Sequence, residues 1–326
     1  MKKKLFGFII SFFGLYLAFN KLNFNDLKDV LLSVDWLLII FATSIMILSV
    51  LIRSIRWQIL LKPFDNFQIY NLFSSTMIGY FGNSVLPLKL GEFLRANTLN
   101  KIYPSMPVST IFATITIERL LDLIGAFFLI IVLMSTNDVP NWFSNSFFIL
   151  VLFMFFVILF VIFLVQLKKN FLIQNFTFFK TYSFLKKINV IVNNFIDGIT
   201  SIKRLHQRTS ILFYTIMLWF MYWISVWLCI VATNINISFF QAGIVLFATG
   251  MVIAIPSAPG YIGTFHATAV LILSDYFLIS ISKAQAFAIL NHFVGFIPMV
   301  IIGGILFIKS SFGLSVKRKN GSTIKQ

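Results

Sequence analysis

The chain has 326 residues, of which 59% are hydrophobic, 17% aromatic and 11% charged. Soluble domains carry about 25% charged residues, so this composition excludes a soluble enzyme. The formal net charge of +16 would suggest nucleic-acid binding in a soluble protein. In a chain of long uncharged runs it indicates instead basic loops that face an anionic membrane surface, and no nucleic-acid partner is expected. The single cysteine, Cys229, and three histidines far apart in sequence predict neither a disulfide scaffold nor a metal site, and no cofactor is expected.

Runs without Asp, Glu, Lys or Arg mark where the chain is expected to cross a membrane, because one span needs about 20 apolar residues. They predict an all-α polytopic membrane protein with about six full transmembrane helices. The first run follows Lys2-Lys3-Lys4 without a clear cleavage site, so we expect it to remain as an anchor helix. In chain order the candidate spans lie within residues 5–20, 36–52, 102–117 with a continuation past charged residues to about 134, 143–167, 209–274 and 284–308.

A polar stretch, residues 171–205, separates the fourth run from the fifth. Apolar side chains recur in it at helical spacing among lysines and asparagines, which predicts an amphipathic helix on the cytoplasmic surface of the membrane. The alternative is a simple connector. The recurring residues are Ile188, Val192, Phe195, Ile199 and Ile202.

Basic residues set the expected orientation. With the N-terminus in the cytoplasm, the cytoplasmic segments hold 3, 6, 8 and 5 Lys and Arg, and the external loops hold Lys21, Lys28 and Lys283. This requires that residues 70–86 do not cross but form a re-entrant hairpin, which turns near Pro87 and returns through residues 89–101. Irregular backbone at membrane depth needs a protein-lined or wet environment, so a cavity is expected. We therefore expect a multi-pass protein of the plasma (inner) membrane with both termini in the cytoplasm.

A seven-residue pattern, P-x-x-x-G-x-F, occurs at residues 87–93 and again at 259–265. Each copy follows a short apolar arm and precedes a second short arm and a full-length span. In the expected orientation the two hairpins enter from opposite sides, which is the inverted repeat of many secondary transporters. The alternative is that these prolines and glycines only kink tightly packed helices. The expected organisation is one domain, 1–310, with halves 36–134 and 209–308 joined by 135–208, and a basic cytoplasmic tail, 311–326.

The hairpin tips are expected to form an anion site. Proline ends one half-helix, and the first N–H groups of the next half-helix have no partner. Gly91 and Gly263 would let backbones approach closely. Two such N-termini at mid-depth would bind an anion, for which a lipid phosphate is a natural candidate.

Charged residues inside the predicted spans give further site candidates. Glu118, Arg119 and Asp122 lie near the middle of the span that begins near Pro107, and each costs about 3 kcal/mol there. Glu118 and Asp122 share a helix face, so Arg119 needs another partner, either Glu92 or the substrate phosphate. The alternative is a structural ion pair that ties this helix to the first hairpin.

The other cations are open to two interpretations. Lys89, Glu92 and Arg95 lie on the returning arm, where Glu92 and Arg95 can pair or flank one site. Arg53 and Arg56 close the second span, as interface anchors or as phosphate ligands.

Four motifs together resemble the lysylphosphatidylglycerol synthase transmembrane-region family, which are flippase-like membrane proteins. The resemblance covers residues 1–310. It implies an integral membrane protein that, in bifunctional relatives, moves aminoacylated phosphatidylglycerol between leaflets. It also implies that the soluble aminoacyl-transferase domain of those relatives is absent and that the chain is not an enzyme, because the sequence stops 18 residues after the last predicted span at residue 308. The motifs are Arg53-x-x-Arg56-Trp57, Asn83 to Arg95 through Pro87 and Gly91-Glu92, Glu118-Arg119-x-x-Asp122, and residues 256–265 with Pro259-Gly260 and Gly263.

Two positions depart from this family. His266 stands where the family usually has an acidic residue, and Asn291-His292 stands where it usually has Tyr-Arg. The two histidines are therefore candidates either for charge change near neutral pH or for hydrogen-bonded packing.

The leading hypothesis is a lipid flippase-like transporter that moves an anionic (phospho)lipid head group between leaflets through a midplane cavity. Its alternatives are a membrane-embedded enzyme acting on a lipid phosphate or lipid-linked sugar, and a non-transporting partner subunit with a dry interior. Expected partners are the anionic phospholipid or lipid-linked substrate and membrane lipids, with a second copy of the chain or a separate lipid-modifying enzyme as further candidates. The substrate-binding candidates are Arg95, Arg119, Lys89, Asn83, Gly91, Gly260, Gly263 and Arg56, and the charge-coupling candidates are Glu92, Glu118, Asp122, His266 and His292.

Overall fold

The structure is a computed structural model that describes residues 2–86, 89–135, 183–201, 207–253 and 257–320, with five isolated positions between 145 and 159. The predicted span at 143–167 and the turn residue Pro87 therefore lie outside the described residues, apart from those isolated positions. Within the described ranges the chain forms eleven α-helices and no strand, which confirms the all-α class. The helices are α1 (Lys2–Phe19), α2 (Phe24–Leu32), α3 (Trp36–Leu61), α4 (Ile69–Val85), α5 (Gly91–Ile102), α6 (Val108–Met134), α7 (Ser183–Thr200), α8 (Arg208–Ala232), α9 (Phe239–Ile253), α10 (Thr264–Leu271) and α11 (Ile281–Asn320).

Three of these helices are long and apolar enough to cross a membrane: α3, α8 and the part of α11 over Ile281–Ser310. Helix α6 has 27 residues but carries the charges of Glu118, Arg119 and Asp122 inside it. The prediction of six full spans stays a prediction. Helix α11 runs to Asn320, so residues 311–320 of the expected tail continue the helix.

The helix order of residues 36–134 is repeated in residues 208–320. Each half has a long helix, a pair of shorter helices and a second long helix: α3 to α6, then α8 to α11. Lys89 and Tyr261, the third residues of the two P-x-x-x-G-x-F copies, both have left-handed backbone, with φ of 56° and 58°. The second short helix begins at the pattern's glycine in one copy (Gly91) and directly after it in the other (Gly263). The repeated sequence pattern therefore corresponds to a repeated local structure.

The first helices of the two halves, α3 and α8, pack side by side. Asp35 caps the N-terminus of α3 by accepting hydrogen bonds from the N–H groups of Leu37 and Leu38 at 2.9 and 3.3 Å. Ala42 on α3 and Val226 and Cys229 on α8 belong to one buried cluster. This contact joins the two halves and supports the pairs of short helices, α4–α5 and α9–α10, which are called the first and second hairpin below.

The predicted amphipathic helix is present as α7, and it packs on α6 rather than standing free. The Thr110 hydroxyl donates to the carbonyl oxygen of Asn194 at 3.1 Å. Ile196 and Ile199 are buried, and Val192 and Phe195 are half-buried. The side chain of Ile188 and the whole of Ile202 lie outside the described residues. The location of α7 at the membrane surface stays a prediction.

The N-terminal helix α1 holds the second hairpin. The N–H of Ala258 donates to the Ser11 hydroxyl at 2.8 Å, and α1 is also bound to α11, where the Gln285 amide donates to the carbonyl oxygen of Ala18 at 2.8 Å. Gly263 has φ of 94°, and a Cβ at this position would overlap the carbonyl of Ser11. The tip of the second hairpin is thus fixed by direct backbone packing against α1.

Candidate functional site

Seven charged side chains from three helices of the first half form one network. Helix α3 supplies two arginines, α5 a glutamate and an arginine, and α6 a glutamate, an arginine and an aspartate. The members are Arg53, Arg56, Glu92, Arg95, Glu118, Arg119 and Asp122.

Glu118 is the buried centre of this network. Its side chain is 0% exposed, and its Oε2 lies 2.7 Å from the Arg95 guanidinium, which stacks on the Trp57 ring with 3.7 Å between Cζ and the centroid. Arg56 and Arg53 approach Oε1 at 3.7 and 4.0 Å. One carboxylate therefore lies among three arginines, where attraction is strong because water is excluded.

Asp122 lies one helical turn further along α6 and connects Arg53 and Arg56 to Arg119. It accepts hydrogen bonds from Arg56 at 2.7 Å, Arg53 at 2.9 Å and Arg119 at 3.2 Å. Arg53 also donates to the Tyr222 hydroxyl at 3.1 Å. Asp122 thus fixes the charged face of α6 against α3, and Arg53 extends the network to α8.

Arg119 pairs with Glu92, one of the two partners considered from the sequence, and this contact ties α6 to the first hairpin. The expectation that Arg119 points away from Asp122 is wrong, because the two side chains are 3.2 Å apart at one turn's separation on α6. The Arg119 side chain is 41% exposed, whereas those of Arg53, Arg56 and Arg95 are at most 5% exposed. Glu92 and Arg95, which could have paired with each other, instead bind different partners. The interpretation of Arg53 and Arg56 as interface anchors is wrong, because both are buried in the network.

A cavity of about 600 Å³ lies between the two halves. The first hairpin contributes Asn83, Lys89 and Glu92 to its wall, and the second contributes Gly260 and Tyr261. The hairpins also touch, because the Lys89 ammonium lies 5.8 Å from the centroid of the Tyr261 ring. Equivalent residues of the repeat thus meet at the cavity.

The network reaches this cavity through four of its members, Arg53, Glu92, Arg119 and Asp122. Arg56, Arg95 and Glu118, all predicted site residues, are not among the lining residues. They lie behind the wall, fully or almost fully buried in ion pairs.

Neither pattern glycine lines the cavity. The N–H of Gly91 donates to the Asn83 side chain at 2.9 Å, so it already has an acceptor, and Gly263 packs on α1. We therefore do not retain Gly91 and Gly263 as anion ligands. The positive charge at the cavity comes from side chains rather than from converging helix N-termini.

The rest of the wall is mostly apolar. Helices α3, α9 and α11 contribute aliphatic side chains, methionines and Phe296. Gly250 also lines the cavity, and a Cβ built on it meets no atom within 4 Å. The cavity wall therefore combines charged and hydrophobic side chains. The apolar lining includes Met46, Val50, Leu246, Ile253, Val294 and Met299.

The two predicted histidines lie together in the second half. Their ring centroids are 4.7 Å apart, and Nε2 of His292 is 2.8 Å from the carbonyl oxygen of Gly260. His292 and its neighbour Asn291 line the cavity, whereas His266 is 8% exposed and lies behind them. Within the described residues, no group of three or more His, Cys, Asp or Glu is arranged to hold a metal ion.

Sequence reasoning missed several residues of this wall. The sequence left Arg53 open between an interface anchor and a phosphate ligand, and it was not among the substrate-binding candidates although it shares a motif with Arg56. Trp219, Tyr222 and Gly250 lie in an uncharged stretch where periodicity gives no signal for a site.

Comparison with known proteins places this fold and site in a family context. The chain is 26% identical over 234 residues to a UPF0104 membrane protein of Methanocaldococcus jannaschii, an alignment that covers 70% of this chain and 93% of the relative. A second UPF0104 membrane protein of the same organism is 25% identical over 319 residues, covering 92% of this chain and 93% of the relative. No solved structure is significantly similar. The sequence model described as the lysylphosphatidylglycerol synthase TM region matches residues 4–303. The chain, an integral membrane protein with several apolar helices, therefore belongs to the family of that transmembrane region.

Proposed function

We propose that this protein is a lipid flippase-like transporter, which moves an anionic phospholipid head group between leaflets through the cavity between its halves. The observation that carries the proposal is the composition of the cavity wall. Arg53, Arg119 and Lys89 line it together with aliphatic and aromatic side chains. Such a wall suits an amphiphile, because the apolar part of the wall can bury the apolar part of a lipid but would bury no apolar surface of a free inorganic anion.

The charge of the site favours an anionic head group. The network and Lys89 together hold five cations and three carboxylates, which leaves a formal excess of two positive charges. A phosphodiester carries one negative charge and accepts charge-assisted hydrogen bonds from guanidinium groups. Its entry would therefore reduce the charge imbalance of the cavity.

The contacts suggest different roles for the cations. Arg119, Arg53 and Lys89 would contact the phosphate, with the Asn83 amide beside them. Arg119 is the most exposed of the four arginines, and a phosphate would compete with Glu92 for it. This exchange would loosen the hold of α6 on the first hairpin, so head-group binding would be linked to hairpin movement.

Arg56 and Arg95 would support the site rather than bind the substrate. They hold Asp122 and Glu118 in fixed positions, and Asp122 in turn orients Arg53 and Arg119. Gly260 belongs to the tip of the second hairpin and would border the head group.

In the membrane, we propose that α4–α5 and α9–α10 are re-entrant hairpins that enter from opposite sides. Their helices have 17, 12, 15 and 8 residues, shorter than the about 20 that a span needs. The contact between the equivalent residues Lys89 and Tyr261 supports two hairpins that meet at mid-depth. The charge distribution of the sequence supports a plasma-membrane protein with cytoplasmic termini.

Replacing Arg119 with alanine is expected to slow lipid transport about tenfold or more. The reason is the loss of a charge-assisted hydrogen bond to the phosphate, worth about 1.5–3 kcal/mol. The assay follows fluorescent phosphatidylglycerol in phosphatidylcholine vesicles that contain the purified protein, with dithionite quenching of the outer leaflet. Lys101→Ala, at an exposed position near the end of α5, removes the same charge away from the cavity and serves as the control. Equal rates for Arg119→Ala and the parent would remove Arg119 from the site, and a parent rate no faster than empty vesicles would refute the transport function.

Filling the cavity is expected to block transport without unfolding the protein. Gly250→Phe adds a ring where no atom lies within 4 Å of the built Cβ, so the ring would extend into the lipid path. We expect near-complete loss of phosphatidylglycerol movement in the same vesicles and an unchanged Tm in detergent. Ile216→Phe adds the same ring at an exposed position on α8 and is the matched control. Full transport by a folded Gly250→Phe protein would show that lipid does not pass through this cavity.

The alternatives receive less support from the geometry. An enzyme would need acid–base groups beside the phosphate site, but Glu92 and Asp122 are held by arginines, and Nε2 of His292 is held by the Gly260 carbonyl, which leaves its Nδ1 as the one free nitrogen of that ring. A non-transporting subunit would be expected to have a packed interior rather than a large cavity lined by charged groups.

A further inference from the structure

The second half of the repeat carries a titratable group where the first half carries a fixed charge. Arg119 lies eleven residues after Val108, the first residue of α6, and His292 lies eleven residues after Ile281, the first residue of α11. Each side chain binds the hairpin of its own half: Arg119 binds Glu92, and His292 binds the carbonyl of Gly260. The same contact between a long helix and a hairpin is therefore made once by a permanent cation and once by an imidazole.

Hydrogen-bonding chemistry fixes which nitrogens of the histidine pair are free. A carbonyl oxygen can only accept, so Nε2 of His292 must carry the hydrogen, and its Nδ1 is then available as a base. Nδ1 of His266 is buried and has no hydrogen-bond partner among the described residues. The pair therefore offers two basic nitrogens on rings whose centroids are 4.7 Å apart. One proton can be accommodated, but a second would put two positive charges in contact.

We infer that His266 and His292 form a one-proton binding site that is linked to the occupancy of the cavity by an anionic head group. The inference rests on the proposed function for the identity of that anion. His292 lines the same cavity as Arg119 and Lys89, so a phosphate there lies within the field of the histidine pair. An anion in the cavity stabilises the protonated pair, and by linkage the protonated pair strengthens anion binding.

The surrounding charges leave this role to the histidines. Glu92 and Asp122 are both bound to arginines, so neither is a free proton acceptor. Helix α9 contains no ionisable side chain, α10 contains only His266, and Tyr16 on α1 is exposed. The titratable and charged groups that face the pair from the other sides of the cavity are Arg53, Tyr80, Lys89, Glu92, Arg119, Asp122, Tyr222 and Tyr261.

The hydrogen bond to Gly260 connects protonation to the hairpin. Gly260 has φ of 74° and lies in the short turn Pro259–Tyr261 that forms the hairpin tip. A charged imidazole donates a stronger hydrogen bond than a neutral one. Proton binding therefore tightens the attachment of the second hairpin to α11, whereas phosphate binding loosens the attachment of the first hairpin to α6.

The test is a histidine-selective ¹⁵N NMR titration of the full chain in nanodiscs, once in phosphatidylcholine alone and once with phosphatidylglycerol added. The sequence has three histidines, and His206→Gln leaves only the pair visible. We expect the pair to take up one proton, with a midpoint about one pH unit higher in the anionic lipid, which is a tenfold gain in proton affinity. His292→Gln is expected to leave His266 titrating alone with little dependence on the lipid.

Uptake of two protons at one common midpoint, or equal midpoints in both lipids, would overturn the inference. The titration is an equilibrium measurement, so it separates this inference from the transport proposal. Vesicles that move lipid at a rate independent of pH, with midpoints equal in both lipids, would leave the transporter standing and remove the proton site. A midpoint that depends on the lipid, in a protein that moves no lipid, would support the proton site and remove the transport proposal.

Discussion

Glu118→Ala is expected to destabilise the protein by about 3–5 kcal/mol, because it leaves buried arginines without their shared carboxylate. Arg95 would lose its ion-pair partner at 2.7 Å while its side chain stays almost fully buried against Trp57. Asp122 cannot compensate, since it already binds Arg53, Arg56 and Arg119. The expected result is a large fall in the Tm of the protein in detergent, measured by tryptophan fluorescence.

Two variants control this experiment. Asp65→Ala removes the same charge at an exposed site and is expected to change Tm little. The double variant Arg95→Met with Glu118→Leu removes both members of the pair and is expected to recover most of the lost stability, because no buried charge is left alone. If Glu118→Ala unfolds at the temperature of the parent, the network is solvated and not a buried structural element.

Gly263→Ala is expected to detach the second hairpin from α1 and to cost about 2–5 kcal/mol, from backbone strain and overpacking together. The residue has φ of 94°, which an L side chain rarely adopts, and the new Cβ would overlap the Ser11 carbonyl. Both groups are backbone, so no side chain can swing away to relieve the overlap. The measurement is Tm in detergent, with the Ser11→Cys and Ala258→Cys pair as a cross-linking probe of the α1 contact.

The matched control is Gly250→Ala, whose Cβ meets no atom within 4 Å and whose Tm is expected to equal that of the parent. A Tm for Gly263→Ala within one degree of the control would mean that α1 does not hold the hairpin in solution. Loss of the cross-link without loss of Tm would mean that α1 contributes contact but little stability.

The features that could be predicted from sequence are those that depend on local residue patterns or on the free-energy cost of burying an unpaired charge. Helical periodicity identified α7, and the repeated P-x-x-x-G-x-F pattern located two short helix pairs with matching backbone at Lys89 and Tyr261. The cost of an unpaired charge in an apolar helix predicted that Arg119 has a partner, and Glu92 was one of the two candidates for it.

The parts that could not be predicted depend on how helices are rotated against each other. Sequence gave Arg95 and Arg119 the same status, but Arg95 packs on Trp57 behind the wall while Arg119 faces the cavity. Arg53 and Arg56 looked like interface anchors because the apolar run ends at residue 52. Helix α3 in fact continues to Leu61, so both arginines lie within the helix rather than at its end.

In the mechanism we propose, the correspondence of the two halves has a consequence for the transport cycle. Two identical halves that exchanged roles would make the inward-facing and outward-facing states equal in free energy. The real halves differ where Glu92 corresponds to Thr264, each directly after its glycine, and where Arg119 corresponds to His292. The halves also differ at many other positions, which contribute to the resting orientation of the transporter, and since one of the two pairs named here includes an imidazole, acidity on either side of the bilayer can shift that orientation.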